Sequence, residues 1–310
     1  MIQDIDVAVV GGGPAGLTAA TYLRRFLRSV VVIDSGRSRA RYIPESHNCP
    51  GFPQGVSGTG LLRRMHEQAE AFAVEITTGC VDTIVREGEA FVVAAAGRRW
   101  RARKVILATG LTDRLPEVPW AEAAIACGAL RLCAICDAYE ASDQTIAVYG
   151  PGAAIGGHAA FLRGYSARIA LLPTDEDLAH EAIARAQALG ATLLPPGGVL
   201  EFDGAHCHYR TPDGDVHRFD TVYPYLGYEG GPSLPTGLRL DSDDNGALEV
   251  DAHQQTRVPG LYAVGDVVSG LNQISVAVGH AAIAATHAHN ALPFVPRAPA
   301  PDNPGAERDS

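Results

Sequence analysis

Two glycine-rich loops, each set between an apolar run and a helical stretch, constrain the fold of this chain more than any other feature. The first follows Ile5-Asp6-Val7-Ala8-Val9-Val10, a β-branched run of the kind buried in parallel sheets. Its loop is Gly11-Gly12-Gly13-Pro14-Ala15-Gly16, followed by an expected helix over 17–28 and a strand over 29–33 that ends at Asp34. The same order recurs downstream: a strand over 145–149, the loop Gly150-Pro151-Gly152-Ala153-Ala154-Ile155-Gly156, a helix through Leu162 and a strand over 167–172. Parallel neighbours need a crossover, so each block reads as a βαβ unit. Two such units predict an α/β chain with two Rossmann-like dinucleotide-binding domains.

The first loop has the chemistry of a pyrophosphate cradle. Gly11 allows the tight turn, Gly13 lets backbone approach the phosphates, and Gly16 permits close packing of helix on strand. Pro14 and Ala15 open the helix, whose N-terminus carries partial positive charge. Asp34 lies 21 residues after Gly13, the distance expected for an acid on an adenosine ribose, and Ser35 adjoins it. Further on, Ala108-Thr109-Gly110 closes a strand over 105–107. Gly265-Asp266 follows another over 260–264, and a helix over 272–290 then begins with Asn272, Gln273 and Ile274. A helix over 60–72 and a strand over 91–93 lie between. Asn48 and Cys49 sit just before Pro50-Gly51-Phe52-Pro53; Cys49 is expected to be a packed thiol.

Composition narrows the partners. Lys plus Arg number 25 against 35 Asp plus Glu, a formal charge of −10 that argues against nucleic-acid and anionic-membrane surfaces. No run of eighteen apolar residues occurs and the start lacks a basic leader, so a soluble cytoplasmic protein is expected. Of six cysteines only Cys133 and Cys136 stand at CxxC spacing, without the second CxxC or paired histidines that zinc needs. No metal site is expected, and the pair points to redox chemistry. A dithiol carries two electrons and exchanges through a thiolate, which a nearby helix N-terminus favours.

Together these motifs resemble the two-dinucleotide flavoprotein disulfide reductases. The cysteine pair just ahead of the second unit resembles low-molecular-weight thioredoxin reductases in particular. The resemblance implies FAD as cofactor, with Asp266 on its ribitol and the helix beginning at Gln273 and Ile274 pointing at the flavin. It implies Cys136 as the flavin-proximal thiol, Cys133 as the interchange thiol and Asp137 as proton carrier. It also implies a homodimer with a discontinuous FAD domain, 1–114 and 243–294. A second domain, 115–242, would be inserted with hinges near Leu115-Pro116 and Asp241-Ser242, and 295–310 would form a flexible tail.

The second unit departs from that family. Where NADPH-dependent members carry a His-Arg-Arg run for the 2′-phosphate, this chain has Pro173-Thr174-Asp175, followed by Glu176 and Asp177. NADPH is therefore not expected, which places the chain with the diverged, NADPH-independent branch. Asp175 holding an NADH ribose and a vestigial site both remain open. Asn272 stands where the family places an arginine. His280, two turns after Gln273, is weighed as flavin-facing or simply exposed, and Phe294 as stacked on flavin or packed at the helix end. The expected function is an FAD-dependent thiol–disulfide oxidoreductase acting on a thioredoxin-like protein or a small molecule. The alternatives are a dithiol oxidase with oxygen as acceptor and a non-catalytic, flavin-binding redox sensor.

Overall fold

The computed structural model describes residues 2–229, 240–243, 246–268, 270–294 and 296–297, so the expected tail over 295–310 lies almost wholly outside them. The chain begins with β1 (Ile2–Val10), α1 (Pro14–Arg25) and β2 (Val30–Asp34), and β1 pairs with β2 in parallel, Val10 beside Ile33. The helix starts earlier than the apolar pattern predicts. Extended Gly13 caps it, and Pro14 fits a first turn because that position needs no amide partner. It stops at Arg25, short of the expected Arg28, where Leu27 turns to a left-handed φ of 61°.

Next come α2 (Gly58–Ala71), β3 (Glu75–Thr78), β4 (Val81–Glu87), β5 (Ala90–Ala95) and β6 (Arg98–Leu107). Ser57 caps α2 by accepting from the Gly60 amide. These strands complete the order β3-β2-β1-β6-β5-β4. The short strand β7 (Thr112–Asp113) and helices α3 (Ala121–Ala126) and α4 (Ala134–Asp137) lead to the second unit.

That unit comprises β8 (Thr145–Gly150), α5 (Gly152–Leu162), β9 (Arg168–Pro173), α6 (Glu181–Ala188) and β10 (Thr192–Leu193). An antiparallel meander follows, β11 (Val199–Phe202), β12 (Cys207–Arg210) and β13 (Val216–Phe219). Then β14 (Thr221–Pro224) returns beside β8, giving a parallel sheet of order β10-β9-β8-β14. The fold is thus α/β with two Rossmann-like units. β15 (Tyr228–Glu229) pairs antiparallel with β7, joining the stretch before the second sheet to the stretch after it.

The chain then rejoins the first sheet through β16 (Leu261–Ala263) and closes with α7 (Ile274–Asn290). One edge of β6 is shared: its first half pairs antiparallel with β5, and its last residues pair in parallel with β16, Leu107 beside Ala263. The ends of β1, β6 and β16 therefore come out side by side, the place where open α/β sheets bind ligands. Helix α7 lies over the sheet through Ala277, Ala281, Ala284, Ala285 and Ala288, in one core with Ala19, Ala20 and Leu23 of α1. Small side chains let the two helices approach closely. No helix among the described residues is long and apolar enough to cross a membrane.

Candidate functional site

A single cleft runs along the strand ends. It is lined by Gly11, Gly13, Pro14 and Ala15 from the first loop, Asp34 and Ser35 after β2, and Asn48. Ala108, Thr109 and Gly110 after β6, Gly265 and Asp266 after β16, and Gln273 and Ile274 at α7 complete it, with Cys133 and Cys136 at its wall. Of the residues expected to bind the cofactor or carry the thiol chemistry, all but Gly16 and Asp137 thus line one space.

Gly16 has a packing role. A Cβ there would stand 1.9 Å from the Gly11 carbonyl oxygen, so any side chain would part α1 from the loop. Gly11 itself holds φ of +106°. Asp34 Oδ1 accepts from the Gly12 amide at 3.1 Å, which fixes its carboxylate at the cleft. The first amides of α1 and α7 face the same space with no side-chain cap on either helix. Thr109 Oγ1 is buried without a hydrogen-bond partner among the described residues. An orphaned hydroxyl, two uncapped helix ends and two carboxylates fit a dinucleotide better than they fit each other.

Gln273 is not within α7, as the pattern predicts, but caps it in an extended conformation. That places its side chain across the cleft. Nε2 donates toward Cys136 Sγ at 3.3 Å and Cys133 Sγ at 3.5 Å, and Oε1 accepts from Asn48 Nδ2 at 3.0 Å. Asn48 in turn accepts from Ser46 Oγ. Cys133 and Cys136 form a disulfide, with Cys133 capping α4 and Cys136 within it.

Asp137 follows Cys136 but does not itself line the cleft. Its buried carboxylate meets Arg131 Nη1 at 3.2 Å and accepts from Tyr223 Oη at 2.8 Å. Burial pushes its pKa up, against the opposing pull of Arg131 and Tyr223.

Arg39 carries no motif and was not expected from sequence. From the turn Arg39–Tyr42, Nε and Nη2 grip both oxygens of Asp113 on β7 at 2.6 and 2.9 Å, and Nη1 reaches Asp266 at 3.3 Å. Asp266 is raised by burial and pulled back by Arg39. Arg37, Ser38 and Ala40, next to Arg39 in sequence, also line the cleft, but only Arg39 among them is bonded to Asp266.

His280 and Phe294 are outside the cleft lining. His280 Nδ1 is buried without a partner among the described residues, and burial lowers its pKa while nearby Asp266 raises it. Phe294 is 84% exposed, so within this chain it neither stacks in the cleft nor packs the helix end. Cys49 packs with Val56 and Leu61, its thiol raised by burial.

At the second loop Asp175 makes the kind of contact that Asp34 makes at the first, a carboxylate on a loop amide. Asp175 Oδ1 accepts from the Gly152 amide at 3.0 Å, at the start of α5, and from the Asp177 amide at 3.3 Å. A Cβ on Gly152 would meet the Asp177 carbonyl oxygen at 2.1 Å. Nearby, His158 stacks on Tyr225 with ring centroids 3.3 Å apart.

The family model for pyridine nucleotide-disulphide oxidoreductases matches residues 5–281. A thioredoxin reductase from Mycolicibacterium smegmatis is 29% identical over 276 residues, covering 85% of this chain and 88% of that protein. The crystal structure of thioredoxin reductase from Streptococcus pyogenes MGAS5005 is similar at a TM-score of 0.83 and 27% identity, covering 94% of this chain and 98% of that one. The crystal structure of HlmI is similar at 0.84 and 28%, covering 93% and 92%.

Proposed function

This chain belongs to the pyridine nucleotide-disulphide oxidoreductase family and is a thioredoxin reductase-like, flavin-dependent disulfide oxidoreductase; on that premise we propose that its flavin is FAD and that electrons pass between it and a thiol partner through Cys133 and Cys136, without NADPH. The observation that carries this is the disulfide at the wall of the dinucleotide cleft, in contact with Gln273. When bound, FAD supplies a two-electron carrier beside a two-electron disulfide.

The chain's own residues then divide the work. The α1 N-terminus and Gly13 hold the pyrophosphate, Asp34 the adenosine ribose, and Asp266 the ribitol. Thr109 supplies a hydroxyl to the bound cofactor, and the α7 N-terminus favours negative charge at the flavin end of the cleft. Cys136 faces the flavin, Cys133 exchanges with the substrate, and Asp137 carries the proton that moves with the thiol.

NADPH is argued against by the second unit, where no cation follows β9 to take a 2′-phosphate and Asp175, Glu176 and Asp177 stand instead. Asp175 sits on its loop amide much as Asp34 does at the first loop, so this unit is read either as an NADH site or as vestigial, and the NADH arm of the test below separates the two. The reading includes an FAD domain over 1–114 and 243–294, an inserted domain over 115–242, a homodimer and a cytoplasmic setting. The substrate is a thioredoxin-like protein or a small dithiol or disulfide.

The test is anaerobic flavin bleaching on addition of NADPH, NADH or dithiothreitol to separate samples. Bleaching by the dithiol alone is expected; bleaching by NADPH within seconds would overturn the proposal. Admitting oxygen afterwards separates a dithiol oxidase, which releases peroxide, from a reductase-like enzyme. Bleaching by none of the three identifies a sensor.

A further inference from the structure

Arg131 stands two residues before Cys133, yet its ion pair is with Asp137 and not with a sulfur. Its backbone is fixed to β14, Arg131 N donating to the Val222 carbonyl at 3.0 Å, and only 18% of its side chain is exposed. Its Nη1 faces Asp137 Oδ2 at 3.2 Å, and Tyr223, fully buried on the same strand, donates its hydroxyl to Oδ1 at 2.8 Å. Each carboxylate oxygen therefore has one partner from a different group, and neither Arg131 nor Tyr223 lines the cleft. Glu140, on the turn after α4, and Tyr225, beyond β14, are the other titratable groups facing this carboxylate.

Left alone in such a place, a carboxylate would hold its proton, because burial penalises the charged form. An opposite charge and a donated hydrogen bond restore the charged form. We propose that Arg131 and Tyr223 are positioning residues that set the pH at which Asp137 gains and loses its proton, keeping it a base for the incoming dithiol. This rests on Asp137 as the proton carrier, as read above. The directions agree: burial raises the Asp137 pKa, Arg131 and then Tyr223 oppose it, and Glu140 adds to the rise.

The exchange balances as follows. One thiol of the dithiol gives its proton to the Asp137 carboxylate, and its sulfur forms a bond to Cys133. The Cys133–Cys136 bond breaks with its electron pair on Cys136, which receives the proton back from Asp137. The second thiol attacks the mixed disulfide, closing the substrate disulfide and releasing Cys133, which takes the remaining proton. The dithiol loses two electrons and two protons, and the enzyme disulfide gains both.

The test uses flavin-loaded protein and dithiothreitol, following anaerobic flavin reduction from about pH 5 to 9, a range that brackets the carboxylate and thiol limbs. A limb shared by every variant belongs to the dithiol itself. Asp137→Asn is expected to abolish the acid limb. Arg131→Met is expected to move that limb to higher pH by about one to three pH units, the effect of losing a close opposite charge. Tyr223→Phe is expected to move it the same way by less, and it carries the test where the arginine variant does not fold. In the Asp137→Asn background, Arg131→Met should leave the profile unchanged. An acid limb that vanishes in Asp137→Asn but stays at the wild-type pH in the Arg131 and Tyr223 variants would overturn the proposal alone. A limb surviving in Asp137→Asn would overturn the proton-carrier role of Asp137 on which it rests.

Discussion

Gln273 Nε2 stands 3.3 Å from Cys136 Sγ, so the residue that caps α7 also touches the redox disulfide of a segment 137 residues away. Asn48 holds the other end of the same amide at 3.0 Å. The cap, the disulfide and the loop after β2 are thus tied through one side chain.

Replacing Gln273 by Ala removes that tie without burying a new charge. One neutral hydrogen bond contributes about 1 kcal/mol, so flavin reduction by a dithiol should slow by roughly fivefold. Stopped-flow absorbance checks this. An unchanged rate would make the Gln273 contact incidental.

Arg39 joins Asp113 on β7 to Asp266 at the cleft, and all three side chains are at most 20% exposed. Arg39→Leu strands two carboxylates, at a cost on the order of 3 kcal/mol. Thermal unfolding should show a clear loss of Tm, and Arg39→Lys, which keeps charge but not the fork, should fall between. Flavin should also be retained less well by Arg39→Leu, because Asp266 loses its fixed partner.

Asp137 and Asp266 are both raised above the ordinary carboxylate value, chiefly by burial. A raised carboxyl binds its proton more tightly folded than unfolded. Its contribution to stability is therefore full below about pH 4 and is lost as pH rises through the folded value. Asp137→Asn, which cannot titrate, should make stability less dependent on pH over this window. Urea midpoints at about pH 4 and pH 7 compare the two proteins.

Two glycines of the first loop should behave differently. A Cβ at Gly16 meets the Gly11 carbonyl oxygen at 1.9 Å, a backbone atom that cannot step aside, whereas one at Gly13 meets only Ser38 Oγ at 3.1 Å. Gly16→Ala is expected to lower Tm and flavin content together. Gly13→Ala should leave the apoprotein Tm within a few degrees, about 1 kcal/mol, yet reduce flavin loading. Equal losses in both would contradict the assignment of separate packing and phosphate-approach roles.

Asp175→Ala frees the Gly152 amide at the start of α5. The loss resembles that of a helix cap, about 1 kcal/mol. NADPH should still not bleach the flavin, because no cation has been added beside Thr174. Bleaching by NADPH in this variant would show that the Asp175 carboxylate alone keeps the cofactor out.

The sequence determined the two βαβ units, the acid after β2 and the CxxC pair, because strand period, glycine loops and helix starts are set by neighbours within a few residues. It also carried the lack of cations after β9, since that is a matter of residue type. Its boundaries slipped where a cap decided them: Gln273 reads as helical by pattern but is extended, and that shift is what aims it at the disulfide. Tertiary structure alone decided which charges met. Arg39 reaches Asp266 across 227 residues and Arg131 pairs with Asp137, contacts fixed by how sheets and loops pack and not by spacing. The same holds for Phe294, left exposed where a packing partner was expected. Local physics writes the elements, while burial selects which of their polar side chains must find one another.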